Sequence, residues 1–264
     1  MTTATTEGVL RPEEPTATLP GAARTAALLL GALVLAGCAS GPQAHPDDPL
    51  EPYNRSMTRF NDAVDSALLK PVATAYQQAT PAPVRTGVSN FFSNLGDAWS
   101  FVNNTLQLRA EGALSSFFRV GINTIMGLGG VLDVASEMGL ERHKQDFGLT
   151  LGRWGMPPGP YLVLPILGPS TVRDTLALPV DMRGNPVRHV DPIPARNSLY
   201  ALRAVDTRAN LLRAGEVLDG AALDKYSFTR DVFLQVRSQR AADAAGRGPA
   251  PGSDDGRLPP EPQE

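Results

Sequence analysis

Histidines, cysteines and paired carboxylates are where catalysis or metal binding would first show, and in this 264-residue chain they are sparse. His45, His143 and His189 are far apart. None stands at ligand spacing from another histidine or from the single cysteine, so the pattern predicts no metal. Gly168-Pro169-Ser170-Thr171-Val172 lacks the closing glycine of a nucleophile elbow. In Gly127-Leu128-Gly129-Gly130 a dinucleotide loop would need a third glycine where Leu132 stands, and no strand reads ahead of it. No Gly-Lys-Ser/Thr run is present to cradle phosphate. Asp146 and Asp174 remain as an imaginable acid/base pair, but aspartates cap helices far more often than they shuttle protons. The residues make no case for catalysis or for a cofactor.

One reactive side chain does stand in a meaningful place. Cys38 closes Leu35-Ala36-Gly37-Cys38 behind an apolar run over 26–36 with Arg24 on its amino side. The run is shorter than the roughly 20 residues of a spanning helix and suits a signal-peptide core. A thiol is the group that bacterial lipoprotein maturation alkylates with diacylglycerol, and the tetrapeptide resembles the lipobox of that pathway. A lone cysteine in an exported protein has no disulfide partner, and lipidation accounts for it better than a chance buried thiol does. The expected organisation is a signal peptide at 1–37 and a lipidated tether at 38–47. Residues 1–23, with Glu7, Glu13 and Glu14, fit a misplaced start or an unusual leader. Ala39 rather than aspartate follows the cysteine, which predicts sorting to the outer membrane.

Elements to position a function lie at 48–240, and the Gly/Pro-rich stretch 241–264 reads as a disordered tail. A composition of 42% hydrophobic and 19% charged residues is that of a globular chain, and a net charge of −3 argues against nucleic acid. Tyr53, Met57, Phe60, Val64 and Leu68 make one helical face, ended by Pro71. Pro83 opens the next helix, with Val84, Val88, Phe91, Phe92 and Leu95 on its face, and Trp99 and Val102 extend the same stripe past Gly96 into a third segment. Leu114, Phe117, Phe118, Ile122 and Ile125 form another face. Helices also fit 171–178, 195–218 and 223–240. Between them 147–169 reads as an irregular loop, with Tyr161-Leu162-Val163-Leu164 as its strand-like run and room for a small hairpin. The apolar faces have two readings, the core side of a bundle or the lipid side of interfacial helices.

Polar residues set among these stripes are the unusual feature. Asn54, Arg55 and Asn61 sit on the first helix. Asn90, Asn94 and Asn103 with Asn104 recur on the second, and Asn123 precedes Gly127, Gly129 and Gly130. Caps and turns explain many such residues; a polar path through an apolar shell, with the glycines as helix end or hinge, is the functional alternative. Gly155, Tyr161, Leu162 and Pro165 then mark a candidate gating loop over that path. The charged 195–240 segment, with Arg203, Asp206, Arg208 and Arg213, suits water or a protein partner.

In order along the chain these residues resemble the MlaA/VacJ family of outer-membrane lipoproteins. The matching blocks begin with Asp48-Pro49-Leu50-Glu51-Pro52-Tyr53-Asn54-Arg55, Phe60-Asn61-Asp62 and Lys70-Pro71-Val72-Ala73. They continue through Gly87-Val88-Ser89-Asn90-Phe91-Phe92-Ser93-Asn94-Leu95 and Val102-Asn103-Asn104. Arg119, Ile122-Asn123-Thr124, Asp146-Phe147-Gly148 and Gly159-Pro160-Tyr161-Leu162-Val163-Leu164-Pro165 follow. Departures are Asp97-Ala98, where the family often has an acidic residue before proline, and Gln145 and Leu149; the match thins after Met182. The resemblance implies a mainly α, ring-like bundle of amphipathic helices in the inner leaflet of the outer membrane, with an amphiphilic channel. It implies removal of misplaced phospholipids from the outer leaflet, hand-over to a periplasmic lipid carrier (MlaC-like) and association with a trimeric porin. No covalent chemistry is implied. A scaffolding envelope lipoprotein that moves no lipid is the alternative, and a lipid hydrolase the least supported.

Overall fold

The computed structural model describes residues 45–246; the signal segment, Cys38, most of the tether and the chain beyond Gly246 lie outside the described residues. Helices dominate. The first, α1 (Glu51–Val64), does not stop at Pro71 but passes through a π-helical turn, Asp65–Leu69, into α2 (Lys70–Ala79). The Lys70 N–H donates to the Asp65 carbonyl five residues back, so the wider turn absorbs the donor that proline lacks. The same turn presents Asp65 to Arg208 at 2.7 and 2.8 Å.

After Pro81 the helix α3 runs unbroken from Ala82 to Leu106, with Pro83 in its first turn as expected and Gly96 carried through without a break. It pairs with α4 (Ala110–Ile125). A single turn, α5 (Val134–Glu137), follows. The stretch from Phe147, expected as loop, opens instead with a two-turn helix α6 (Phe147–Arg153), capped by Asp146, whose carboxylate accepts from the Leu149 N–H. Its glycines act by close approach: a Cβ on Gly148 would lie 2.4 Å from the Asp174 carboxylate. The expected hairpin is present, β1 (Tyr161–Leu164) antiparallel to β2 (Gly168–Thr171), with Tyr161 opposite Thr171.

Helix α7 (Val172–Gly184) is longer than expected and contains Pro179. A 3-10 turn at Pro186–His189 leads to α8 (Ile193–Asn210). The helix expected over 195–218 breaks at Leu211 and resumes as α9 (Leu212–Ala221). The last helix, α10 (Lys225–Ala244), extends four residues beyond the expected boundary at 240, and Ala244 is buried.

Contacts close on themselves. Helix α1 packs on β1, β2 leads into α7, α7 meets the 3-10 turn, that turn meets α8, and α8 packs along α2, the continuation of α1. The α3–α4 pair joins this circuit through α8, α6 and the 3-10 turn. Apolar core is confined to small clusters: Ala73, Ala209 and Leu212 where α2 meets α8 and α9, and Tyr161, Val163 and Tyr226 where the hairpin meets α10.

Candidate functional site

Helix α4 shows how these elements are oriented. Gly112, Ser116, Arg119 and Asn123 recur at helical spacing and are buried, while Leu114, Phe117, Phe118 and Ile125 are 50–83% exposed. Helix α3 likewise buries Asn94, Asp97, Ser100, Asn103 and Asn104 and exposes Val84, Val102 and Leu106. Phe60 and Leu68 face outward from α1 and its π turn. The apolar stripes are divided: Phe92 is buried and Met57 packs on the hairpin cluster, while much of the remaining apolar surface faces outward. Polar groups fill the seams, and hydrocarbon faces out, the reverse of the usual burial preference. Among the described residues no helix is long and apolar enough to cross a membrane.

The predicted path residues are seam residues. Asn54 is fully buried; its amide donates to Asp48 at 2.8 Å and to the Tyr161 carbonyl at 3.0 Å, and its oxygen accepts from the Val163 N–H at 2.8 Å. Asp48 also accepts from the Tyr226 hydroxyl and from Arg230. Burial first, then that carboxylate, pushes the Tyr226 hydroxyl pKa up. Arg55 is held by Glu51 and Asp224 and lies over the Tyr226 ring. Asn61 braces the hairpin turn through the Leu164 carbonyl and the Ile166 N–H. Asn90 donates to the Val131 carbonyl, Asn94 to Thr124, and Asn103 accepts from Thr150. Asn123 donates to Asp133 and accepts from the Ala135 N–H. These side chains bond within the walls, Asn94 Oδ1 alone among these amide atoms being buried without a partner among the described residues, and none of the seven residues lines the cavity described next.

Glycines 127–130 belong to a packed helix end. The N–H groups of Gly129 and Gly130 donate to the Thr124 and Asn123 carbonyls, closing α4. Gly129 and Gly130 take φ of +73° and +94°, and a Cβ on Gly130 would lie 2.8 Å from that of Asn94. The candidate gate is anchored in part. Tyr161 is a core residue, fixed through its own backbone by Asn54 and Asp47, whereas Gly155 and Pro165 are exposed and Leu162 is half-buried. Sequence reading found the strand-like run at Tyr161 but not the distant amide of Asn54 that holds it.

Between α3, the segment before α6, the hairpin, α7, α8 and α10 lies an open cavity of about 540 Å³. Its apolar wall includes Leu95, Leu178, Met182 and Phe233; its polar wall includes Lys144, Asp146, Asp174, Asp181, Arg203 and Arg237. Sequence reasoning placed Arg203 toward water or a partner and did not single out Lys144, Asp181 or Arg237. Asp146 and Asp174 do come together, but on Arg237, which binds Asp146 with two nitrogens at 2.6 and 2.7 Å and Asp174 with its Nε at 2.7 Å. Burial raises and the Arg237 bonds lower the Asp146 pKa, the net direction being down. Both carboxylates are committed to that arginine, and Arg173 adds a second bond to Asp174. Asp181 accepts from the Trp99 ring N–H at 2.7 Å and the Phe147 N–H at 2.8 Å, and burial pushes its pKa up. No metal-ligand cluster occurs among the described residues.

A closed circuit of amphipathic helices, apolar outside, amide-bonded at its seams and lining an open cavity of mixed polarity, is the architecture of a membrane-associated helical protein. The chain belongs to the MlaA lipoprotein family, whose model matches residues 46–240. It is 36% identical to the intermembrane phospholipid transport system lipoprotein MlaA of Escherichia coli K12 over 220 residues, 80% of this chain and 86% of that one. The Haemophilus influenzae protein of the same name is 33% identical over 78% of this chain and 86% of its own length. A solved structure concerned with the structural basis for maintenance of bacterial outer membrane lipid asymmetry aligns with a TM-score of 0.61 at 33% identity, covering 74% of this chain and 98% of that one.

Proposed function

We propose that this protein is an outer-membrane lipoprotein that withdraws misplaced phospholipids from the outer leaflet and passes them to a periplasmic lipid carrier, so maintaining lipid asymmetry. The observation that carries this reading is the inverted polarity around a mixed-wall cavity: hydrocarbon contacts outside, polar and apolar walls within. A phospholipid needs both on its way out of a bilayer, because an unpaired charged headgroup is costly in hydrocarbon. The work is binding and transfer, not bond-making, and Arg237 leaves Asp146 and Asp174 no role as a free acid/base pair. Cys38 carries the lipid anchor that keeps the ring on the periplasmic side of the membrane, and a trimeric porin is its membrane partner.

Deleting the gene should raise surface-exposed phospholipid, and the wild-type gene should restore it; ordinary surface phospholipid in the deletion strain would overturn the proposal. Cys38→Ser should end incorporation of labelled palmitate, and continued labelling would remove the anchor assignment.

A further inference from the structure

Two cations on the pocket wall form no ion pair with a carboxylate among the described residues. Arg237 is spent on Asp146 and Asp174, and Arg173 on Asp174. Lys144 makes no hydrogen bond or ion pair with any described residue. Among the described residues the Arg203 guanidinium has one partner, the face of Phe92, with its central carbon 5.9 Å from the ring centroid. Lys144 is open to the pocket yet set within dense protein; burial, then repulsion from Arg240 and Arg203, lowers its amine pKa, with the charge of Asp146, which is not bonded to it, opposing them only in part. Asp181, the remaining carboxylate on the wall, forms no ion pair and spends one oxygen on two N–H donors.

We propose that Lys144 and Arg203 form a phosphate station within the cavity, where the phosphodiester of a phospholipid rests while its chains lie along Leu95, Leu178, Met182 and Phe233. This deepens the function proposed above and rests on it. A phosphodiester brings one negative charge and two free oxygens. Its charge offsets the repulsion between two neighbouring cations, and it supplies acceptors to donors that have none. Arginine offers a planar fork and lysine a point charge, so the pair grips a phosphate without the all-round cradle that would trap it. A ligand in transit has to leave, and two contacts suit release better than five.

The test measures binding of a fluorescent phosphatidylglycerol and of the matching diacylglycerol, which lacks the phosphate, to the full protein in detergent. The variants are Lys144→Gln, Arg203→Gln and the double. Neither side chain holds the fold through a polar bond, and circular dichroism checks that each variant is folded. Each single change should weaken phosphatidylglycerol roughly tenfold, as expected for one charge-assisted contact, with diacylglycerol unchanged. The charge-keeping exchange Lys144→Arg/Arg203→Lys should retain most of the affinity and covers the case in which a neutral variant fails to fold. Unchanged phosphatidylglycerol binding in the folded double variant overturns the station. Equal loss of both lipids also overturns it, since packing alone would then be at work. Displacement of the lipid by inorganic phosphate at equal concentration would reassign the pair to free phosphate. If the wild-type protein binds neither lipid, the proposed transport function falls, a result distinct from the others.

Discussion

Arg119 offers the sharpest test of how the seams hold. It is fully buried, and its five N–H donors are all used. Nε donates to Asp97 at 3.0 Å, Nη1 to the Leu140 carbonyl at 2.6 Å and to Ser136 at 3.1 Å, and Nη2 to both oxygens of Asp133 at 2.8 and 3.0 Å. Arg119→Met keeps much of the volume and removes every donor. Breaking a buried ion pair from one side costs about 3–5 kcal/mol, because the partner charge stays behind. Arg142, a third exposed, still reaches Asp97 at 3.1 Å and Asp133 at 3.2 Å, which places the expected loss near the lower end, about 3 kcal/mol. For a domain of this size that corresponds to a fall of roughly 6–12 °C in Tm, read by circular dichroism or Trp99 fluorescence in detergent. Asp97→Asn separates the causes. In the wild type it should destabilise, and in the Arg119→Met background it should restore part of the loss by removing the stranded charge. A loss under about 1 kcal/mol, or the same effect of Asp97→Asn in both backgrounds, would refute the reasoning.

Three further outcomes follow from the same geometry. Burial pushes Asp133 up, but hydrogen bonds from Ser136 and Asn123 and the Arg119 charge outweigh it and hold its pKa at about 2. A depressed carboxylate pKa contributes stability above the ordinary value, so about 2 kcal/mol should be lost as pH falls from near 4 toward 2, and Asp133→Asn should flatten that slope in an acid-unfolding series. Gly129→Ala meets only the positive φ and should cost about 1 kcal/mol, whereas Gly130→Ala adds the collision with Asn94 and should cost more; equal losses in thermal melts would contradict the packed-turn account. Asn54→Ala removes three bonds at once, and hydrogen exchange should show the Val163 amide losing protection before those of α3.

Helical period and punctuation made much of the fold legible. The apolar spacing from Tyr53 and from Leu114 marks real helices, Pro83 opens α3, and the Tyr161–Leu164 run is a strand. Three misreadings share one origin, that glycine and proline report local preference while tertiary contact decides. Pro71 continues a helix because a π turn precedes it, Gly96 interrupts nothing, and Gly148 sits inside a helix where Asp174 leaves no room for a Cβ. Periodicity also fixes that a helix has two faces without fixing which one meets solvent, so the stripes at Phe117 and Phe118 read equally as core. The cavity was the least legible part. Lys144, Asp181, Arg203 and Arg237 come from four separate stretches with no motif to join them.

The same arrangement explains why the asparagines of this chain recur at helical spacing in the seams between its helices. Between helices whose outer faces meet hydrocarbon, apolar contact gives little reason to associate, because lipid tails are as apolar as leucine. Specific seams then need small residues for close approach and hydrogen bonds that fail in any other register. Helices α3 and α4 meet that need: Gly112 lies against Asn104, which donates to the Ser100 and His143 carbonyls and at longer range to Ser116, while Arg119 and Asn123 converge on Asp133. Each amide joins segments distant in sequence, so a slipped helix would strand buried polar groups at a cost of about 1–3 kcal/mol each. Rigidity set in this way leaves the cavity a fixed shape in a fluid surrounding. On the cavity wall, the cations without an ion pair among the described residues, Lys144 and Arg203, are the ones placed to meet the proposed ligand.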